Sequence, residues 1–232
     1  MEIFAHRGAS AHAPENTLVA MKKAITLGAK AIELDVQNVE GQLYVYHDSR
    51  LDNAKLHHPL IEQSSIDAVE STLVQGEPIP TLWQVMNYLK AFPCKVNIEL
   101  KGLNSLKPFI NIYPKLINEL GFNAEQLLIS SFNHPFLAKV KHVFPTAYIA
   151  PIISGIPLSL AQIATTLNAY SIHLDLNFVT PEIINDAHQR NIKVFVYTVD
   201  NIDDMSNLFR VGVDGIFTNF PDKALSLFPI KD

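Results

Sequence analysis

The feature that most constrains this chain is the exchange of two hydrophobic periods from end to end. Short β-branched or apolar runs over residues 3–6, 31–36, 43–46, 95–100, 127–131, 147–150, 171–174, 194–199 and 215–218 alternate with stretches of helical spacing. Strands separated by helices pair in parallel through crossovers, so the pattern predicts an α/β fold with a parallel sheet, closed or open. One helix is expected after Asn16 as its N-cap, with Leu18, Met21 and Ile25 on one face and a stop at Gly28. Another is expected from Thr81, whose partner Gln84 completes a capping-box pattern. Further helices are expected near 105–120, 134–143, 157–168, 181–190 and 201–210. No low-complexity linker, repeat or composition break interrupts the 232 residues, so one domain over 1–232 is expected.

A closed (β/α)8 barrel has eight positions, fewer than the strand candidates. Residues 31–37 and 42–47 are separated by only a few residues around Gly41, too few for a parallel crossover, so they should form a hairpin. A turn near Glu40 would place His47 opposite Glu33. The segment 48–80 is irregular, with a helix expected near 65–74, and reads as a short insertion at the barrel mouth.

Two of the strands carry polar residues on one face. Alternation through Ile32, Glu33, Leu34, Asp35 and Val36 separates two carboxylates from three aliphatics, and Val96 to Lys101 does the same with Asn97, Glu99 and Lys101. In a parallel barrel the aliphatic face packs under the helices, so Glu33, Asp35 and Glu99 must look inward, where Val, Ile and Leu are usual. Three converging carboxylates repel unless a cation neutralises them, and oxygen ligands alone favour a hard ion, Mg²⁺ or Ca²⁺. The competing expectation is a buried salt-bridge network built with Lys101 and Arg7. His6 ends the first strand before Arg7 and Gly8, and His47 ends the hairpin before Asp48, which can orient its ring.

Composition narrows the partners. A net charge of −5 argues against non-specific binding to nucleic acid or anionic lipid. The single cysteine, Cys94, excludes an internal disulfide and a Cys-rich zinc site, and is expected to be a small buried thiol. The opening MEIFAHRG shows no basic region followed by an apolar run, so no signal peptide is expected and the expected compartment is the cytoplasm. The long uncharged stretch 142–174 is broken by Pro145, Pro151, Gly155 and Pro157, which leaves no membrane span.

Taken in order, His6-Arg7-Gly8, Pro14-Glu15-Asn16-Thr17, Glu33-x-Asp35, His47-Asp48, Ile79-Pro80-Thr81-Leu82, Glu99-x-Lys101 and Gly212-Val213-Asp214-Gly215-Ile216-x-Thr218 resemble the glycerophosphodiester phosphodiesterase family over nearly the whole chain. The resemblance implies a phosphatidylinositol phospholipase C-like TIM (β/α)8-type barrel that hydrolyses glycerophosphodiesters to sn-glycerol 3-phosphate and an alcohol. It implies His6 and His47 as the acid/base pair, Glu33, Asp35 and Glu99 as holders of a divalent metal, and Arg7 and Lys101 as phosphate ligands. The chain departs from the family pattern in its short Ser49-Arg50-Leu51-Asp52-Asn53 segment, in Tyr197 where a Trp is usual, and in Asn219 where an Asp is usual.

At strand ends, Phe132 and Tyr197 are candidates to wall a glycerol pocket, Asp175 is a candidate substrate contact, and residues 151–157 are a candidate apolar lip. His12, His57 and His58 are expected to be solvated in loops, and His134, His142 and His188 to be surface or packing residues. Two other activities compete on the same residues: a lysophospholipase D or sphingomyelinase D-like reaction, and a non-catalytic glycerol-phosphate sensor.

Overall fold

The computed structural model describes residues 1–53 and 56–228. Residues 54, 55 and 229–232, which the expected 48–80 insertion and 1–232 domain include, lie outside the described residues. In chain order the elements are β1 (Glu2–Ala5), α1 (Leu18–Thr26), β2 (Ala31–Val39), β3 (Gln42–Val45), α2 (Ile66–Glu70), β4 (Leu73–Val74), β5 (Glu77–Pro78), α3 (Leu82–Leu89) and β6 (Lys95–Leu100). They continue with α4 (Leu106–Asn118), β7 (Leu127–Ser131), α5 (His134–Val143), β8 (Tyr148–Ile153), α6 (Gln162–Thr166), β9 (Ser171–Asp175), α7 (Pro181–Gln189), β10 (Lys193–Tyr197), α8 (Ile202–Arg210), β11 (Gly215–Thr218) and α9 (Pro221–Leu227).

The main sheet runs β1-β11-β10-β9-β8-β7-β6-β2-β3, and β1 also pairs with β2. That last pairing closes eight parallel strands into a TIM-type barrel and leaves β3 outside it as an antiparallel partner of β2. Alternation decides the two faces as expected: Ile32, Leu34, Val36, Val96, Ile98 and Leu100 point outward and share the main core with the helices. The inward positions change character with height. Phe4, Ala31, Leu128, Ala150, Phe195 and Phe217 fill the lower interior, with Phe4 4.8 Å from Phe217 and 5.3 Å from Phe195 between ring centroids. Below them the Glu2 carboxylate ties Lys95 at 2.8 Å to Lys193 at 3.1 Å. This plug lies toward the N-terminal strand ends, opposite the C-terminal ends at which barrels of this kind place their chemistry.

Several local expectations are corrected. Thr17, not Asn16, caps α1, its Oγ1 accepting the backbone N–H of Ala20. Thr81 and Gln84 do form the reciprocal capping box of α3. The β2–β3 ladder pairs Val36 with Val45 and Val39 with Gln42 across a Glu40-Gly41 turn in which both residues have positive φ. This register is one residue away from the one that sets His47 opposite Glu33, and the chain leaves the ladder after Val45. The helix expected near 65–74 is only Ile66–Glu70, because residues 73–78 form the β4–β5 ribbon around Gln75-Gly76. Strand β8 continues through Pro151, Ile152 and Ile153, so only the second half of the expected 151–157 lip is loop. The helix expected at 157–168 is cut to Gln162–Thr166.

The segment between β3 and α3 contributes to a small second core of Val39, Tyr44, Tyr46, Leu51, Ile61, Val69 and Ile79. Glu62 fastens it to the barrel by accepting the backbone N–H groups of Leu103 at 3.0 Å and Asn104 at 2.8 Å. Gly102 makes this possible: its φ is +66° and a Cβ there would collide with the Glu62 carboxylate. Cys94 is buried, as expected. Among the described residues no helix is long and apolar enough to cross a membrane.

Candidate active site

The site begins with a tight turn. His6 donates its backbone N–H to Thr218 O at 2.9 Å, continuing β1 by one residue. Arg7 then takes φ +56° and Gly8 φ +80°, and a Cβ on Gly8 would lie 2.7 Å from the backbone carbon of Ala20 in α1. The turn aims the Arg7 N–H inward, where it donates to Glu33 Oε2 at 2.8 Å. The Arg7 guanidinium donates from Nη1 to Glu15 Oε1 at 2.9 Å and lies with Nε 3.4 Å from Asp35 Oδ2.

Asn16, read from sequence as a cap, belongs to the site. In the left-handed region at φ +57°, it donates Nδ2–H to Asp35 Oδ2 at 2.9 Å and accepts the Asp35 N–H on Oδ1 at 3.3 Å. An Asn among turn residues fits both roles equally well in sequence, so the signal did not separate them.

The β2–β6 register sets Asp35 beside Glu99 and Glu33 beside Asn97. One oxygen from each of Glu33, Asp35 and Glu99 lies within 4.8 Å of the others. Lys101 Nζ is 3.0 Å from Glu99 Oε1 and 3.7 Å from Asp35 Oδ1. The salt-bridge network weighed from sequence is therefore present in part, but two cations face three carboxylates. The surplus falls on Glu33: burial, and then the charges of Asp35 and Glu99, push its carboxyl well above the usual range. Burial and Asp35 likewise push Glu99 up to about 7, against the pull of Lys101. Asp35 stays below its ordinary value because Lys101, Arg7 and His47 outweigh its burial.

Buried polar oxygens are normally partnered, and here Glu33 Oε1, Asn97 Oδ1 and Glu99 Oε1 lack hydrogen-bond partners. Lys101 comes close to Glu99 Oε1 without an aligned bond. Converging, under-neutralised carboxylate oxygens are the donor set a hard divalent cation requires, so these residues fit such an ion.

Both histidines stand at this end. His6 Nδ1 is 2.8 Å from Asn219 Oδ1 and its Nε2 is 4.0 Å from Glu33 Oε2. Burial, and then the Arg7 charge, hold the His6 ring below its ordinary pKa, opposed by the Asn219 contact. His47 pairs Nδ1 with Asp48 Oδ1 at 2.7 Å. Its backbone is held by Gln37, which donates Nε2–H to the carbonyls of His47 at 3.0 Å and Asp48 at 2.7 Å. Gln37, paired with Tyr44 in the ladder, reaches the His47 backbone with its side chain.

Phe132 and Tyr197 close one side edge to face with centroids 6.2 Å apart, and Lys101 Nζ lies 5.9 Å from the Phe132 ring centre. Tyr197 donates its hydroxyl to Ile153 O at 3.3 Å. Two spaces are lined by these residues. A chamber of about 30 Å³ is lined by His6, Glu33, Asn97, Glu99, His173 and Tyr197 among others. A cleft of about 660 Å³ is lined by Gln37, His47, Asp48, Glu62, Lys101 and Asn104 among others. The first suits an ion or a water, the second an organic group.

His173 was missed from sequence, although alternation through Ser171, His173 and Asp175 points it inward. It is fully buried against Phe195 and Phe217, and burial drives its pKa down to about 3, so it is neutral. Asp175 accepts from Asn177 and Ser154. His57 and His58 are exposed, while His12 pairs with Asp222 and His188 with Asp214, each at 2.8 Å.

Fold and site together define a (β/α)8-barrel enzyme whose open end gathers histidines, fixed cations and an oxygen cluster fit for a divalent ion. The profile of the Glycerophosphoryl diester phosphodiesterase family matches residues 6–223, and the chain belongs to that family. It is 34% identical over 235 residues to a glycerophosphodiester phosphodiesterase of Caldanaerobacter subterraneus subsp. tengcongensis, covering 97% of this chain and 96% of that one. A glycerophosphodiester phosphodiesterase of Bacillus altitudinis is 31% identical, with 97% of each chain covered. Among solved structures, an Oleispira antarctica phosphodiesterase in complex with the product sn-glycerol-3-phosphate superimposes with a TM-score of 0.89 at 25% identity, over 97% of this chain and 96% of that one.

Proposed function

We propose that this protein hydrolyses glycerophosphodiesters to sn-glycerol 3-phosphate and an alcohol, using His6 and His47 for proton transfer and a divalent ion, Mg²⁺ or Ca²⁺, held by Glu33, Asp35 and Glu99. The observation that carries the reading is the cluster of three carboxylates within 4.8 Å, flanked by Arg7, Lys101 and both histidines at one end of the barrel. The relatives named as glycerophosphodiester phosphodiesterases, and the product held by the Oleispira protein, support the substrate class.

A phosphodiester resists attack because it is anionic and its leaving alkoxide is poor. A bound divalent ion would supply Lewis-acid polarisation of a phosphate oxygen. Arg7 and Lys101 bring fixed positive charge to the same place and orient the phosphate. The attacking oxygen, from water or from the neighbouring glycerol hydroxyl, must lose a proton, and the leaving oxygen must gain one. His6 and His47 each present a ring whose Nδ1 is already engaged, leaving Nε2 for the reaction. Attack by the glycerol hydroxyl would give a cyclic phosphate that water then opens, and Phe132 and Tyr197 would wall the glycerol.

The test is release of sn-glycerol 3-phosphate from glycerophosphocholine by wild type, His6→Ala and His47→Ala, each checked for intact fold. Severe loss in both variants supports the reading, and wild-type turnover in either removes that histidine from it. A lysophospholipase D or sphingomyelinase D-like reading draws on exposed Leu103, Phe132, Ile156 and Leu158 on the loops after β6, β7 and β8. Faster turnover of lysophospholipid than of glycerophosphocholine would favour it. Specific binding of glycerol phosphate with no turnover would instead favour the sensor.

A further inference from the structure

We propose that Asn219, held by Asp200, is a positioning residue that fixes the His6 ring with its proton on Nδ1 and its free Nε2 toward the carboxylate cluster. The inference rests on the reading of His6 as a proton-transfer group.

The orientation of the Asn219 amide follows from its partners. Asp200, as a carboxylate, only accepts: Oδ2 takes the Asn219 side-chain N–H at 2.6 Å, and Oδ1 takes the Asn219 backbone N–H at 2.8 Å and the Thr218 hydroxyl at 3.0 Å. The amide nitrogen of Asn219 must therefore face Asp200, and its oxygen must face the other way. That oxygen lies 2.8 Å from His6 Nδ1 and accepts the Ser10 hydroxyl at 2.7 Å. An amide oxygen cannot donate, so His6 Nδ1 carries the proton. A neutral imidazole has one N–H, which leaves the lone pair on Nε2, the atom 4.0 Å from Glu33 Oε2.

The support is rigid as well as directional. Ala11 donates its N–H to Asn219 O at 3.1 Å, and His6 donates its N–H to Thr218 O at 2.9 Å, so the end of β11 and the His6 turn are tied on both sides of the ring. Asp200 follows β10, so the orientation passes through three adjacent strand ends to one nitrogen. Sequence marked Asn219 only as a departure from the family's usual Asp.

The experiment combines kinetics on glycerophosphocholine with ¹⁵N NMR of the imidazole nitrogens in the full chain. In wild type, His6 is expected to resonate as the Nδ1–H form; an Nε2–H form overturns the proposal and needs no variant. Asn219→Leu is expected to lower kcat by about 10–100-fold with KM within about twofold, and to shift His6 toward the Nε2–H form. Asp200→Asn, which lets the Asn219 amide turn over, should move the ring in the same direction. Wild-type kcat in Asn219→Leu, alongside an inactive His6→Asn, overturns the positioning role while leaving the reading of His6 intact. Wild-type turnover in His6→Asn overturns that reading, and with it the kinetic consequence claimed for Asn219.

Discussion

The backbone N–H of Arg7 donates to Glu33 Oε2 at 2.8 Å, and Arg7 reaches that position with φ at +56°. A carboxylate that belongs to the candidate ion site is thus held by the main chain of the turn that carries His6. Gly8 permits the turn, since a Cβ there would meet the Ala20 backbone at 2.7 Å and φ is +80°. Gly8→Ala is expected to cost about 2 kcal/mol or more by denaturant unfolding, and to lower turnover because His6 and Arg7 move with it. Unchanged stability would show that α1 yields.

The carboxylate cluster should make the ion-free protein less stable as pH rises. Glu99, raised from 4.5 to about 7, and Glu33, also raised by burial and its neighbours, bind more protons folded than unfolded. The stabilising effect of Glu99 is complete below about pH 4.5 and is lost as pH climbs through about 7, and Glu33 acts in the same direction. Asp35, held low, acts oppositely at the acid end, where its contribution disappears as pH falls below its ordinary 3.8. Glu99→Gln is expected to flatten the neutral slope of Tm against pH. Binding of a divalent ion is expected to release protons and to raise Tm more at about pH 8 than at about pH 5, measured by calorimetry in two buffers.

His173 sets a second pH window of opposite sign. Its folded pKa of about 3, against an ordinary 6.5, means that the unfolded chain takes up a proton which the barrel interior refuses. Stability is therefore lost as pH falls below 6.5, by about 2 kcal/mol at pH 5 from this residue alone. His173→Gln is expected to reduce the acid slope, read from unfolding midpoints between these pH values.

Asn16 makes two hydrogen bonds to Asp35 and none to the helix it precedes. Asn16→Leu is expected to leave α1 intact, since Thr17 caps it, and to weaken divalent-ion affinity by about 10-fold. Loss of helix by circular dichroism, with ion affinity unchanged, would instead make Asn16 a cap.

Legibility followed the range of the interaction. Alternation through 32–36 and 96–101 was enough to turn Glu33, Asp35, Asn97 and Glu99 into the barrel, because one-face burial leaves a parallel strand no other choice. The capping box at Thr81 was equally local. The hairpin turn was found, but its register missed by one residue, since Glu40 and Gly41 share a two-residue turn rather than Glu40 centring it. Asn16, Gln37 and Asn219 were not recognised as site residues, because each acts through hydrogen bonds to residues 10 or more positions away. The same alternation through 171–175 points His173 inward.

The measurement that tests the account most directly is release of sn-glycerol 3-phosphate from glycerophosphocholine by the purified protein before and after exhaustive chelation, with Mg²⁺ and Ca²⁺ added back. The expected result is one sn-glycerol 3-phosphate for each choline released, abolished by the chelator and restored by one or both ions. Full turnover after chelation would contradict the role of Glu33, Asp35 and Glu99, and absence of sn-glycerol 3-phosphate under every condition would contradict the activity itself.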